Sequence, residues 1–379
     1  MIDNIYDNCK GNSCSKEIKE IIFSSINDHS ALNLLFAPKN LDILKIEKNC
    51  LSMSKAVIND MTNLQKIEYS EGGFSYVMNF PYFNHLFSAK IKEIKILGNE
   101  SFFEENVFSY FNSIEFVEFG EKTKLLYIPK FCFLNCSNLR QIKIPSSCYS
   151  IDECAFKNCE KLEIVEFGQI NTEKNLKYIG KAAFFNCSSL NSVILPSSVE
   201  MICEESFMNC TNLKKVIFDN IEESQLSIIK KNAFKNCRSL ESFILPSNCT
   251  LLGPACFSDC TSLESFECEG TNLSTIQCRS FMNCSSLLKF VLRKTKNEKE
   301  EQNLKIMQEA FMNCTSLNEV SFEDGSQNCE TIEKVTQKIN KNEEEEIEVP
   351  ISKYSFVDDI KYQEIGKKAF CNCKSLTKA

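Results

Sequence analysis

The chain has 379 residues, 43% of them hydrophobic, and a formal net charge of −8 at pH 7. The hydrophobic fraction is typical of a folded chain, whereas the acidic balance argues against a broad phosphate-binding surface, so we expect no nucleic-acid partner. No window of 18 or more residues is apolar throughout, so the sequence predicts no transmembrane segment.

Residues 1–36 carry no repeat, and we interpret them as an N-terminal capping segment. Ser15 is a candidate N-cap, and Ile18, Ile21 and Ile22 follow it, which predicts a short amphipathic helix over Ser15–Ser25. The first residues are acidic and lack the apolar region of a signal peptide. We therefore expect a cytoplasmic location, with the cell surface as the alternative.

Residues 37–99 contain a weak repeat of apolar residues spaced two apart, which is the period of a strand with one buried face. The pairs are Leu44/Ile46, Ile67/Tyr69 and Ile94/Ile96, with Val117/Phe119 following in the next segment. We interpret residues 37–99 as degenerate repeats that lead into a regular array over residues 100–379.

The regular array repeats the phrase Phe-x-Asn-Cys-x-x-Leu nine times, with Asp259 in place of Asn in one copy. Its phenylalanines are Phe133, Phe156, Phe184, Phe207, Phe234, Phe257, Phe281, Phe311 and Phe370. An aliphatic residue lies five positions before each Phe, and in all but the last copy two strand-spaced apolar residues lie nine and eleven positions after it. Each copy therefore predicts a helical or irregular turn, a strand and a return loop. Stacked copies would place like residues in continuous internal ladders.

These phrases resemble the leucine-rich repeats of the BspA type, and the segments 144–162, 195–213 and 365–376 carry the match. The resemblance covers roughly residues 100–376 clearly and 37–99 weakly. It implies a curved leucine-rich-repeat solenoid with no catalytic residues. Members of the family are associated with adhesion to host proteins or other cells, so the resemblance also implies a surface adhesin or antigen as an alternative function.

Most copies follow one another at 23 to 30 residues, but the last step is 59 residues long. We interpret the region near 325–360, with its run Glu343–Glu346, as a degenerate repeat carrying an acidic insert. The predicted fold is thus an α/β leucine-rich-repeat solenoid of about 13–14 strand-turn repeats with a parallel sheet. The array stops at Ala379 inside a predicted strand, and an uncapped edge there would permit self-association.

The 22 cysteines fall largely in apolar slots of the repeat, where we expect small, buried and reduced side chains. The Asn of each phrase precedes the Cys and is predicted to adopt a left-handed turn conformation. Five of these asparagines match the N-glycosylation pattern, which we interpret as a by-product of the repeat.

Catalytic and metal sites have little support. His29 and His85 have no partner at zinc-ligand spacing, and the close cysteine pairs Cys9/Cys14 and Cys371/Cys373 are read as terminal thiols. We therefore expect no cofactor, no metal and no catalytic residue. An enzyme with a site in the first 100 residues, where both histidines lie, is kept as an alternative.

The residue between the two buried residues of each predicted strand should point to the open face of the sheet. Three successive copies carry isoleucine there, namely Ile194, Ile217 and Ile244, and Phe116 and Ile164 are outward neighbours. Apolar patches of this kind mark interaction sites, although β-branched residues also favour strands for their own sake. We accordingly predict a non-enzymatic scaffold that binds a protein partner through this face.

Overall fold

The computed structural model describes residues 20–23, 42–46, 63–69, 90–99, 101–168, 176–269, 272–293, 304–323 and 364–377. These residues form a solenoid in which each coil contributes one long strand and, from residue 127 onward, also one short strand. Every strand pair recorded among them is parallel and joins neighbouring coils. The predicted parallel leucine-rich-repeat solenoid is confirmed.

The long strands contain four or five residues and supply one face of the solenoid. They are β1 (Glu20–Phe23), β2 (Ile43–Ile46), β3 (Lys66–Tyr69), β4 (Glu93–Ile96), β5 (Phe116–Phe119), β7 (Gln141–Ile144), β9 (Ile164–Phe167), β11 (Ser192–Leu195), β13 (Lys215–Phe218), β15 (Ser242–Leu245), β17 (Ser265–Glu269), β19 (Lys289–Arg293) and β21 (Glu319–Glu323). The first seven of these form one sheet and the last six form a second.

The short strands contain two residues each and form a separate nine-stranded sheet. They are β6 (Tyr127–Ile128), β8 (Ser150–Ile151), β10 (Tyr178–Ile179), β12 (Met201–Ile202), β14 (Ile228–Ile229), β16 (Leu251–Leu252), β18 (Thr275–Ile276), β20 (Lys305–Ile306) and β22 (Glu364–Ile365). The second residue of each is the aliphatic residue five positions before the Phe. The sequence did not predict this sheet because a single buried residue per copy leaves no period of two to detect.

Consecutive turns connect each short strand to the next long strand. In the last coil of the described part of the chain, a 3-10 helix at Lys374–Thr377 takes the place of the second turn. Each turn holds two residues at positive φ, one at the Asn position and one four residues earlier, such as Asn209 (φ 65°) and Glu205 (φ 60°). The predicted irregular turn therefore forms, rather than an α-helix. Its backbone also bonds to the next coil, as the Phe207 amide does to the Ala233 carbonyl at 2.8 Å.

The core contains a column of phenylalanine rings that runs along the solenoid. Phe133 and Phe156 stack with their centroids 5.1 Å apart, and the same parallel arrangement continues ring by ring to Phe370. Phe108 adds a tenth ring below Phe133. The phrase does not reveal this ring, because Tyr110 replaces its Asn and Phe111 its Cys, although Ile114 keeps the Leu position.

Two details of the predicted organisation are wrong. Glu20–Phe23 is a strand paired with β2, so the helix predicted over Ser15–Ser25 does not form there, and the rest of residues 1–36 lies outside the described residues. Backbone pairing with the next coil overrides the weak helical spacing of three isoleucines.

The second error concerns the 59-residue step. Phe370 stacks directly on Phe311 and β22 pairs with β20, so no repeat intervenes between these two coils. A coil built from the region near 325–360 would bring the carboxylates of the run Glu343–Glu346 close to buried apolar positions, which is costly. Residues 324–363 lie outside the described residues.

Candidate functional site: the outer face of the long strands

The long strands alternate buried and solvent-facing residues, so their first and third residues lie on the outer face of the sheet. We call the third residues of successive long strands the middle row. Cross-strand registers place these residues side by side, for example Ile194 beside Ile217 and Lys143 beside Glu166. The outer face is therefore an ordered array of side chains spaced about 4.8 Å apart along the solenoid.

Three neighbouring positions of the middle row form the isoleucine patch, which consists of Ile194, Ile217 and Ile244. Their side chains are 51%, 46% and 44% exposed. Phe116 and Ile164 lie on the same face as first residues of β5 and β9, with exposures of 42% and 46%, and Gln141 separates them. The structure thus places all five residues of the sequence prediction on one open face. Partner binding by them stays a prediction.

The middle row changes character beyond the patch. Ile244 is followed in register by Glu267 and then by Val291. Val291 is only 4% exposed, so the sequence-based expectation that it lies on the open face is wrong. The apolar surface available to a partner therefore ends at Ile244 on this side.

On the other side of the patch the middle row is a charged row that alternates in sign. Its members in stacking order are Lys45, Glu68, Lys95, Glu118, Lys143 and Glu166. The β5–β7 register, in which Val117 pairs with Ile142, makes Glu118 and Lys143 neighbours as well. This regularity is not apparent from the sequence, because the weak repeats of residues 37–99 conceal the register of the first three strands.

Ion pairs cross-link this charged part of the sheet. Lys95 bonds to Glu118 in the next strand, and this contact raises the pKa of Lys95. Lys66 lies 3.3 Å from Glu93, and Arg140 lies 3.5 Å from Glu163. A shallow depression of about 430 Å³ beside them is lined by eight residues of mixed charge and polarity, from Asp42 to Phe116. Exposed pairs of this kind each contribute little to the stability of the fold. The alternating order of the charges is therefore a more informative feature of this surface than the number of ion pairs.

The Asn and Cys ladders are structural. Each ladder Asn for which a link is recorded donates an amide hydrogen bond to the side chain of the preceding coil, as Asn236 does to Asn209 at 2.8 Å. Each ladder thiol donates to the carbonyl of the Phe in the preceding coil, as Cys210 does to Phe184 at 3.2 Å. Burial raises the pKa of Cys210 to about 12, so the thiol stays protonated and able to donate.

The described residues show no cluster of metal-ligating side chains. No group of three or more His, Cys, Asp or Glu side chains among them could hold a metal ion. Cys373 donates its thiol to Phe311, and His29, His85, Cys9 and Cys14 lie outside the described residues. In the same part of the chain no helix has the length and apolarity that crossing a membrane requires.

A stack of parallel strands with internal Phe, Leu, Cys and Asn ladders defines a leucine-rich-repeat protein of the scaffold class. The sequence matches the BspA type leucine rich repeat region over residues 32–163, 127–224 and 177–302, and the chain belongs to this family. No curated protein sequence gives a match.

Solved structures agree on the fold. A leucine-rich repeat protein from Bacteroides ovatus is 20% identical, with a TM-score of 0.51 over 95% of this chain and 78% of that one. A leucine-rich cell surface protein from Faecalibacterium prausnitzii is 19% identical, with a TM-score of 0.40 over 82% of this chain and 88% of that one. The match to the Bacteroides ovatus structure shows the leucine-rich-repeat fold and nothing beyond it.

Proposed function

We propose that the chain is a non-enzymatic scaffold that binds a protein partner through the outer face of its long strands, with the isoleucine patch as the main contact. The observation that carries the proposal is the adjacency of three roughly half-exposed isoleucines on neighbouring strands of one sheet. Isolated exposed apolar residues are ordinary, whereas contiguous ones with a polar rim mark interaction surfaces. The rim here consists of Glu166, Lys215 and Glu267, which supply polar contacts around the patch.

The rigidity of the solenoid supports this role. Each isoleucine is held on a strand whose neighbours are fixed by backbone pairing and by buried residues such as Val216. A partner therefore meets a surface that is already in place, and little conformational entropy is lost on binding. Interface hot spots are typically few and central, so one or two substitutions in the patch should abolish binding.

The test is an affinity capture with the full chain and its Ile217→Lys variant. Leu126→Lys is the matched control, because Leu126 is 55% exposed but adjoins the short-strand sheet. We expect a protein that binds the unchanged chain and Leu126→Lys but not Ile217→Lys. Equal capture by all three chains would contradict binding through the patch.

The ladder thiols support a location in a reducing compartment. Nine ladder thiols donate hydrogen bonds within the core, and oxidation to disulfides would remove those donors. Thiol counting before and after denaturation should find few reactive thiols in the folded protein and many after unfolding. Extensive disulfides would instead favour the cell-surface adhesin.

A further inference from the structure

We propose that a second copy of this chain packs against the charged row, so that the protein forms a twofold-symmetric dimer through strands β2, β3, β4, β5, β7 and β9. This interface borders the isoleucine patch and includes Ile194 at its edge, but it does not depend on the proposed function. The observation that carries it is the alternation of the charged row, which reads Lys, Glu, Lys, Glu, Lys, Glu from β2 to β9.

An even number of alternating charges is complementary to its own reversed copy. A twofold axis that runs parallel to the strands, between β4 and β5, brings the two sheets face to face with their stacking order reversed. It pairs Lys45 with Glu166, Glu68 with Lys143 and Lys95 with Glu118 of the other copy, and symmetry makes each pair occur twice. Every facing pair is then of opposite sign, as an isologous interface requires.

The neighbouring positions agree with this register. Two positions flank the charged row in the stack, Ile22 in β1 and Ile194 in β11. The same axis places Ile22 of one copy opposite Ile194 of the other. Among the first residues of the strands, the axis pairs Ile43 with Ile164. The alternative axis, through Ile217, would bring together Glu166 and Glu267, which have the same charge, so the charged row specifies one arrangement over the other.

The size of the surface sets the expected strength. The six strands of the charged row and the flanking strands β1 and β11 together span roughly 38 Å at about 4.8 Å spacing, and four residues per strand span about 13 Å. The projected area is about 500 Å² per copy, near the lower end for specific interfaces. We therefore expect a dimer with a dissociation constant on the order of micromolar, weakened by salt because its contacts are solvent-accessible charges.

The alternation also has an explanation within one chain, since opposite charges on neighbouring strands stabilise a sheet. Charge exchange separates the two accounts, with sedimentation equilibrium of the full chain at low salt as the readout. Glu68→Lys alone and Lys143→Glu alone each create two like-charge contacts across the interface. We expect each to raise the dissociation constant at least about tenfold.

Combining the changes restores the pairs between copies while leaving like charges side by side within each copy. The double variant Glu68→Lys/Lys143→Glu should therefore dimerise again, and an equimolar mixture of the two single variants should form a mixed dimer. Lys215→Glu, the same change on the same face outside the six strands, should dimerise like the unchanged chain.

Three results would overturn the proposal. These are a monomer at all concentrations up to about 100 μM, a dimer that the single variants leave intact, and a double variant or mixture that stays monomeric while remaining folded. Loss of capture by Ile217→Lys with an intact dimer would leave this interface standing, so the two proposals fail separately.

Discussion

Each ladder Asn does two things that few residue types can do together. It adopts a left-handed backbone conformation, with φ of 63° at Asn283, and its side chain bonds to the neighbouring coils, in the case of Asn283 to both. The Asn283 amide donates to Asp259 at 2.8 Å, and its carbonyl oxygen accepts from Asn313 at 2.8 Å. Asp259 can replace Asn in the ladder because the hydrogen bond from Asn283 requires only an acceptor at residue 259.

Replacement of Asn283 should separate the two contributions. Asn283→Gly keeps the left-handed backbone accessible and loses the two side-chain bonds, so we expect a loss of about 1–2 kcal/mol. Asn283→Ala loses the same bonds and adds the left-handed penalty, about 1–2 kcal/mol more. Denaturant unfolding of both variants measures the difference, and an alanine variant as stable as the glycine variant would contradict the assigned backbone role.

Positions with a recurring residue type could be predicted from the sequence, and positions defined only by backbone geometry could not. Asn209 and Cys210 recur in kind, so their turn and core roles were visible in the spacing. The other positive-φ residue of each turn lies four positions before the Asn. It is Glu205 in one copy, Ala182 in another and Phe131 in a third, so no residue type reveals it. The burial of Val291 could not be predicted from the sequence either, because alternation with a period of two indicates on which face of the sheet a residue lies but not whether that face is covered there.

At the scale of the element, the Phe column joins coils that are distant in sequence. Phe207 is fully buried and stacks on Phe184 and Phe234 at 5.2 Å on either side. Phe207→Ala should therefore cost about 3–5 kcal/mol, because it removes buried surface and leaves a cavity. Phe207→Leu retains most of the volume and should cost clearly less. Chemical denaturation with Phe116→Ala as an exposed control tests this, and equal losses at Phe207 and Phe116 would refute the column.

The long strands provide an adjacent pair of residues that tests which face is open. Ile217 is 46% exposed, whereas the preceding residue, Val216, is 7% exposed and belongs to the core. Ile217→Lys should change the free energy of unfolding by no more than about 0.5 kcal/mol. Val216→Lys buries an unpaired charge and should unfold the coil or the whole chain. A large loss at Ile217 would show that the outer face is covered.

For the whole molecule, the buried thiols predict how stability depends on pH. Burial raises the pKa of Cys148, Cys210, Cys249 and Cys373 to about 12, well above the ordinary thiol value. In the unfolded chain these groups lose their protons near pH 8.5, while the folded chain keeps them. The unfolded state then binds fewer protons, so stability is fully present below about pH 8.5 and falls as the pH rises toward 12.

The free energy of unfolding should fall steeply with rising pH because several thiols act together. Each contributes about 1.4 kcal/mol per pH unit above its unfolded pKa, so four would remove a stability of the usual 5–15 kcal/mol within one to three units. We expect denaturation midpoints that are level from pH 6 to 8 and fall sharply by pH 10, with thiolate absorbance rising as the chain unfolds. In the Cys210→Ala variant the free energy of unfolding should fall less steeply with pH, by about 1.4 kcal/mol per pH unit. If the Cys210→Ala variant lacked one thiolate relative to the unchanged chain while both remained folded at pH 10, the Cys210 sulfur would be accessible, and the internal cysteine ladder would then be untenable.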